Sequence, residues 1–591
     1  MKRVLIPVLL VALAACSSDL STGTTTTTTT TLSFKNNPCG AGGTVQLAEA
    51  AATRIDCSAG GTTVTLAGNG ASYLIVPQFP TDQVTNALVS YTMSSGTAVA
   101  ASVIPNGSRA LRVAIAAAGA GSSGGLLPPI RNMSAQLAAE RALRSRAAKR
   151  ALSSTFKASL MRQPNTLLRS VVPAPPAAGS IRSFHVASSF TTSTFKVVAA
   201  KLTYVGDNVL IYIDTLAPAN GFTPSQLSDF GKLFDQTLYP IDTLAFGSPV
   251  DLDQNGRVIM LMSPVVNADT PASTCSTQGF VAGFFDTGDF NGPSDPNSNQ
   301  GEIFYTIVPD SVGTVSCAHS VANLGADVPA TFLHELQHLI YFSQHVIVSG
   351  SSEGSSWMDE GLSIVAEELG SLYYEQKCPP PSCRTNPAQI FPDSAQGFVS
   401  SFLYDSYQYA YLPDTSSVTL HDDSENGFSW RGGDWLMMRW LGDQMGAGFF
   451  RKLERGPSNG LVNIEQATGQ TFPSLFANFG LSLYTDSLPG LPRTTAPAAN
   501  RFTSRNVKAL WARLFATSSG SDVPLANPVQ LFSITSDTST SVMSPGTMTY
   551  YRLDTPATST TVTIRFAAPG GAAFPAALRA QLGIFRLPAG Q

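Results

Sequence analysis

The sequence predicts a multidomain α+β protein, with β-rich segments at both ends and a mixed central region. Its 591 residues exceed one ordinary domain, so we expect about two to four. Hydrophobic residues make up 43% of the chain and charged residues only 13%, which leaves enough apolar material for several cores. The net charge of −4 shows no excess of positive charge, so nucleic acid is not an expected partner.

Short β-prone runs dominate both ends of the chain. Residues 33–118 contain several, separated by Gly, Asn and Pro turns, and are predicted to form a β-sandwich domain. Residues 500–591 contain the run Thr561–Ile564 and are predicted to form a small C-terminal β module. The N-terminal runs are Thr44–Leu47, Thr63–Leu66 and Tyr73–Val76. Neither segment contains a motif that carries chemistry.

Residues 183–490 alternate strand-like and helix-like patterns, which indicates a mixed α+β domain. The sequence Thr-Pro-Ser-Gln at 223–226 has the capping-box pattern of a helix start, with proline at the first helical position. Buried strands are predicted at Val209–Ile213, Val258–Met262 and Ile303–Ile307. The last strand shortly precedes the helix with the most informative motif.

Residues 119–182 are predicted to be a hinge and a basic helical linker. The hinge at 119–125 consists of Gly, Ser and Ala, and 133–162 is helix-prone. A basic helix can bind an anionic surface, but a linker helix in solvent, or a segment trimmed by proteases, is the simpler interpretation. The clustered basic residues are Arg141, Arg144, Arg146, Lys149 and Arg150.

The N-terminus has the pattern of an export signal. Lys2 and Arg3 precede an apolar run that is too short to span a membrane. The run ends in Leu-Ala-Ala-Cys at Cys16, which resembles the bacterial lipobox and implies lipidation of Cys16 after cleavage. An ordinary signal peptide with an incidental cysteine is the alternative. We therefore predict a signal segment at 1–16 and a threonine-rich tether at 17–32.

The predicted location follows from this signal. Lipid on Cys16 would anchor an exported protein to a bacterial membrane. Ser17 after the cysteine favours the outer membrane or the cell surface. The partner at this end of the chain is therefore expected to be a membrane, reached through the lipid.

The other cysteines agree with export, because they form three sequence-local pairs that an oxidising compartment would allow to close. We predict the disulfides Cys39–Cys57, Cys275–Cys317 and Cys378–Cys383, since each pair stays within one predicted structural unit. Free buried thiols are the alternative.

The central motif is His334-Glu335-Leu336-Gln337-His338, in an amphipathic helical pattern with Asp327 as its expected N-cap. A spacing of four places both imidazoles on one helical face, so that they can bind one metal ion. Glu335 lies about 100° around the helix, beside the metal. There it can take a proton from metal-bound water and pass it to a leaving amine. With only six histidines in the chain, two at this spacing are not background.

A second motif, Trp-Met-Asp-Glu-Gly-Leu-Ser, follows at 357–363. Together the two motifs resemble the gluzincin metallopeptidases, most closely the hyicolysin-like family. The resemblance covers roughly 185–455 and is specific only around 331–368. It implies a zincin-like central domain with one zinc ion on His334, His338 and Glu360, and with Glu335 as catalytic base. It also implies hydrolysis of peptide bonds in external proteins or peptides.

Two roles that are filled in the better-known gluzincins are not assigned by this sequence: the group that orients the first histidine, and the transition-state stabiliser. The position four residues after the ligand glutamate, where many members have aspartate, is Ile364, so Asp359, Glu367 or a main-chain carbonyl must orient the first histidine. His345 stands one residue late for a third histidine ligand and is expected at the surface or near the ligands. The transition-state stabiliser stays open among Tyr407, Tyr409, Tyr411, His421 and Arg431.

Two acidic loops are candidates for calcium. Asp251–Gly256 begins like a calcium loop, but its twelfth position is Met262 instead of glutamate, so an ordinary turn is the simpler interpretation. The loop Asp286–Asn299 can bind calcium, line a cleft or lie in solvent. Calcium is thus a second candidate cofactor beside zinc.

Two other functions stay open on the sequence alone. One is a zinc hydrolase that cleaves another kind of bond. The other is a catalytically silent binding or adhesion lipoprotein on a peptidase scaffold. Glu335 favours an enzyme, because a binding scaffold has no need of a base at that position.

Overall fold

The computed structural model describes residues 36–82, 88–96, 134–148, 174–190, 192–293, 295–377, 390–391, 393–420, 429–493, 496–518 and 523–591. The predicted signal with Cys16, the threonine-rich tether, the hinge, Cys378, Cys383 and His421 lie outside these residues. Among the helices described, none has the length and apolar character needed to cross a membrane.

The described residues are a mixture of strands and helices. The strands are β1 (Asn36–Pro38), β2 (Thr44–Val45), β3 (Ala52–Asp56), β4 (Thr63–Ala67), β5 (Ser72–Gln78), β6 (Val89–Ser95), β7 (Ile181–Ser189), β8 (Thr194–Val205), β9 (Val209–Asp214), β10 (Val258–Met262), β11 (Gly283–Phe285), β12 (Ile303–Thr306), β13 (Phe532–Ser533), β14 (Ser539–Met543), β15 (Tyr551–Asp554), β16 (Thr561–Ala567) and β17 (Gln581–Arg586).

The helices are α1 (Ser134–Ala148), α2 (Pro224–Leu233), α3 (Tyr239–Ala245), α4 (Pro264–Ala268), α5 (Cys275–Gln278), α6 (Val321–Tyr341), α7 (Ser356–Lys377), α8 (Gln396–Tyr411), α9 (Ser429–Met445), α10 (Phe449–Glu454), α11 (Gly460–Thr468), α12 (Phe472–Thr485) and α13 (Val507–Thr517). Single π-helical turns extend α2 over Phe234–Leu238 and α6 over Phe342–Val348.

The two terminal β segments form one sandwich, whereas the sequence predicts two separate units. One sheet has the order β1-β3-β17-β5-β15-β13 and the other β14-β6-β16-β4-β2. Strand β17 pairs with both β3 and β5, and β16 pairs with both β4 and β6. The prediction of two modules is therefore wrong in this respect, because neither segment alone closes its edges or covers its apolar face.

The C-terminal segment differs from its β prediction in a second way, because it contains the helix α13. The sandwich is also continuous with the central region, since α12 packs against β17 and β5. Gly583 of β17 faces α12 at this contact, and a Cβ there would lie at ordinary van der Waals distance, 3.4 Å, from Leu481. The disulfides Cys39–Cys57 and Cys275–Cys317 are present as predicted.

The central region is built on a sheet of order β11-β12-β10-β9-β8-β7. Strands β9, β10 and β12 are parallel and buried, while β11 is an antiparallel edge strand. These three parallel strands match the predicted ones to within one residue. The capping box at Thr223 is also confirmed, with Gln226 and Thr223 bonded in both directions.

The helix α6 begins earlier than predicted. Its N-cap is Ser320, whose hydroxyl accepts a hydrogen bond from the Asn323 N–H, and Asp327 lies inside the helix. The N-cap prediction is wrong because Pro329, which would suit the first turn of a helix that starts at Asp327, lies in the helix interior. The longer helix carries the His-Glu-x-x-His motif in its last two turns.

Candidate metal centre

Helices α6 and α7 pack side by side and bring the two motifs together. Gly370 of α7 permits this contact, because a Cβ there would lie 2.6 Å from Leu333 of α6. Gly361 has a similar role beside Glu360, since a Cβ would lie 3.0 Å from Met438 of α9. Tight packing on both sides therefore fixes the backbone that carries the motif glutamate.

The three predicted ligand side chains converge on one point. The Nε2 atoms of His334 and His338 are 3.1 Å apart, and Glu360 Oε2 lies 3.6 and 3.8 Å from them. Bonds of about 2.0–2.1 Å to a tetrahedral zinc ion would separate such donors by roughly 3.4 Å. Glu360 is buried and, among the described residues, no donor makes a well-directed hydrogen bond to its Oε2. The donor set thus fits a zinc ion.

Two carboxylates hold the histidine rings from behind. Glu367 Oε1 lies 2.8 Å from His334 Nδ1, and Asp359 Oδ1 lies 3.0 Å from His338 Nδ1. Both acids belong to α7 and are sequence candidates for orienting the first histidine. Glu367 lies in that position, whereas Asp359 contacts the second histidine. Partners of this kind fix the ring orientation and turn Nε2 towards the metal.

Glu335 lies beside the three donors without joining them. Its side chain is buried and lies near Gly283 of the edge strand β11. A Cβ on Gly283 would lie 3.6 Å from Glu335 Oε1. Burial raises the pKa of Glu335 to about 7, against the opposing charges of His334 and His338. A carboxylate with a pKa near neutrality is suited to general acid–base work.

Among the candidate stabilisers that the structure describes, only Arg431 lies at the centre. Its Nη2 lies 2.8 Å from Glu360 Oε2. Burial acts to raise the pKa of Glu360, but Arg431 and the two histidines hold it well below its usual range. Glu360 is therefore ionised, as a metal ligand must be.

The tyrosine candidates lie elsewhere. Tyr407 hydrogen-bonds the Leu525 carbonyl and stacks on Tyr411, and Tyr409 is buried against Gly433 of α9. Sequence reasoning missed Tyr404 and Gln408, which line a cavity with Arg431, His334 and Glu335. A signal for them was available, because residues four apart on α8 lie on one face of the helix. The many tyrosines in this helix make that face hard to recognise in the sequence.

Of the two positions expected for His345, the one at the surface is wrong. It is fully buried, with Nε2 2.6 Å from Asn459 Oδ1 and its ring stacked on Tyr341. It lies in the π-helical segment that follows α6. It is a packing residue.

The helix α1 borders the centre, whereas the sequence favoured a linker helix in solvent. Cavities of about 250 and 220 Å³ both contact His334, Glu335 and Gln136 of α1. Arg144 of α1 lies 3.2 Å from Glu360 Oε1. The expectation of a helix in solvent is therefore wrong for 134–148.

Two histidines and a glutamate with a further glutamate alongside form the kind of site that metal-dependent hydrolases use. No family model matches the chain. Over 191 residues it is 28% identical to the neutral metalloprotease ShpI of Staphylococcus hyicus, an alignment that covers 32% of this chain and 40% of that protein. The chain therefore matches less than half of the length of a protein that is named a metalloprotease.

Proposed function

We propose that the protein is a zinc-dependent peptidase of gluzincin type that hydrolyses peptide bonds in external proteins. The observation that carries the proposal is the convergence of His334, His338 and Glu360, with Glu335 beside them. Similarity to a neutral metalloprotease supports the same bond type. A binding scaffold would not need a buried glutamate with a pKa near 7 at this position.

In this reaction His334, His338 and Glu360 would hold the ion, and Glu367 and Asp359 would hold the two rings. Bound zinc supplies Lewis acidity, which lowers the pKa of water and polarises the scissile carbonyl. Glu335 would accept a proton from the attacking water and deliver it to the leaving amine nitrogen. Arg431 would keep Glu360 ionised and in place.

We also propose that the protein is exported and lipid-anchored through Cys16, at the outer membrane or cell surface. The lipobox-like sequence before Cys16 supports this location. The disulfides Cys39–Cys57 and Cys275–Cys317 support an oxidising compartment. Substrates would then be proteins or peptides outside the cell.

Zinc analysis combined with casein digestion tests the proposed reaction. We expect about one zinc per chain, and proteolysis that a chelator removes and added zinc restores. Stoichiometric zinc without cleavage of casein or of peptide libraries would favour a hydrolase of another bond. A chain that binds no zinc would favour the silent binding protein.

A further inference from the structure

A second acidic cluster lies at the amino-terminal edge of the central sheet, apart from the metal centre. Asp251 and Asp253 belong to the loop before β10, and Glu302 directly precedes β12, the parallel neighbour of β10. One carboxylate oxygen of each residue lies within 4.8 Å of the other two. The fold thus supplies, from an adjacent strand, the glutamate that the sequence lacks at Met262.

Glu302 is the buried member of this cluster and has one carboxylate oxygen without a hydrogen-bond partner among the described residues. The residue is only 2% exposed, and its Oε1 accepts a hydrogen bond from the Leu252 N–H. Its Oε2 and Asp251 Oδ1 are buried and accept no hydrogen bond from any residue that the structure describes. Burial raises the pKa of Glu302 well above its ordinary value, and the two aspartates add to this. An isolated buried carboxylate is costly unless it takes up a proton or a cation compensates its charge.

Arginines near the cluster bind elsewhere. Arg257 donates to the Gly206 and Asn255 carbonyls, and Arg182 donates to the Asn299 carbonyl. Their guanidinium groups therefore do not occupy the space between the three carboxylates. A small cation at this point could contact an oxygen of all three carboxylates at once.

We propose that Asp251, Asp253 and Glu302 bind calcium, which ties the loop before β10 to the start of β12. Calcium accepts carboxylate and carbonyl oxygens in irregular geometry, whereas magnesium requires a near-octahedral set. The other acidic loop is no competitor, because its Asp289 is engaged by the Tyr305 hydroxyl and the Asn299 amide. The expected role is stabilisation of the central domain.

Thermal unfolding of the zinc-loaded full chain, freed of calcium beforehand, tests this site. Calcium chloride at about 1 mM should raise the Tm by about 5 °C, and magnesium chloride should not. Glu302→Gln should abolish the shift, while Asp229→Asn on the exposed face of α2 should keep it. No shift in the wild type, an equal shift with magnesium, or a full shift in Glu302→Gln would overturn the assignment.

A different set of contacts concerns α1, which lies across the cleft beside the metal centre. The Gln136 amide donates to the Gly283 carbonyl at 3.2 Å and accepts from the Ala282 N–H at 3.1 Å. A carboxamide has the same donor and acceptor as a peptide group, so this pairing imitates a peptide strand on the sheet edge. Main-chain groups that an extended peptide would use are therefore already taken.

The same helix also neutralises the charged groups at the centre. Arg144 lies 3.2 Å from Glu360 Oε1, and Glu140 Oε2 accepts a hydrogen bond from Arg431 at 2.5 Å. At its last turn, Arg146 pairs with Asp286 at 3.1 Å, and both side chains are buried. The Arg146 guanidinium also lies over the rings of Phe190 and Phe195. The helix is thus docked at both ends.

We infer that residues 134–148 form an autoinhibitory segment that fills the substrate cleft, and that peptides gain access only when α1 leaves. This inference rests on the proposed peptidase function. The departure of α1 would require no change in the metal ligands. Arg144 contacts Glu360 Oε1, whereas Glu360 Oε2 faces the histidines. The two cavities that Gln136 lines would then be the unfilled parts of one cleft that α1 occupies.

The double variant Gln136→Ala/Arg146→Ala tests the inference, because neither residue touches a metal ligand. Two quantities are measured on the zinc-loaded full chain: kcat/KM for a quenched peptide, and the Kd of N-acetyl-leucine hydroxamate by calorimetry. If α1 blocks the cleft in most molecules, kcat/KM should rise and the Kd should fall, each by about tenfold. Ser145→Ala, on the exposed side of the same helix, is the matched control and should behave like the wild type.

The possible outcomes separate this inference from the proposed function. Unchanged values in the double variant, or a loss of both activity and hydroxamate binding, would show that α1 is a fixed wall of the site and overturn the inference. Gln136→Ala alone, which leaves the buried Arg146–Asp286 pair intact, should give a smaller change in the same direction even if the double variant is unstable. Tighter hydroxamate binding without peptide cleavage in any protein would support the blocked cleft and overturn the peptidase function.

Discussion

Glu335→Gln is expected to lower kcat for peptide hydrolysis by at least about two to three orders of magnitude while zinc stays bound. Glutamine has nearly the same shape as glutamate but accepts no proton at neutral pH. The three donors His334, His338 and Glu360 are untouched, so the metal site should persist. Loss of activity without loss of metal is the signature of a general base.

The measurement is kcat on a quenched peptide, with zinc determined by mass spectrometry on the same sample. Glu49→Gln makes the same chemical change at an exposed position in the sandwich and should leave kcat unchanged. A Glu335→Gln protein that keeps a tenth or more of wild-type kcat would remove Glu335 from the base role.

Local sequence signals account well for the centre. The spacing of His334 and His338 predicts their shared face, and the second motif places Glu360 opposite them, as the 3.6 and 3.8 Å separations show. Glu367 is among the sequence candidates for orienting His334, but the contact of Asp359 with His338 was not predicted. Such signals succeed because one helix repeat fixes which side chains meet.

Contacts between distant segments were not predictable in the same way. The strands β16 and β17 insert between N-terminal strands more than 450 residues earlier, and no local pattern records that partner. Glu302 completes an acidic cluster only because β12 pairs with β10. Likewise, the basic character of α1 is visible in the sequence, but its ion pairs with Glu360 and Asp286 depend on where the helix docks.

Glu360→Ala is expected to lower zinc affinity by more than the approximately 10–100-fold loss typical of removing an outer contact to a ligand. The variant loses a donor and also changes the local charge. Arg431 lies 2.8 Å and Arg144 3.2 Å from the Glu360 carboxylate. Without that carboxylate, two guanidinium groups would repel any cation between the histidines, and peptide hydrolysis should disappear with the zinc.

Competition with a chromophoric chelator measures the zinc affinity. Glu367→Gln is the comparison variant, for which a smaller loss of zinc affinity is expected. That variant weakens only the support of His334, so its loss should stay within about 10–100-fold. The fold should survive Glu360→Ala, because Arg431 retains its partner Glu140 at 2.5 Å, and the Tm measured by circular dichroism checks this. Wild-type zinc affinity in folded Glu360→Ala would mean that another group is the third ligand. Because His334 and His338 alone do not complete a zinc site, the choice of Glu360 over its acidic neighbours decides whether this cleft is a metal centre.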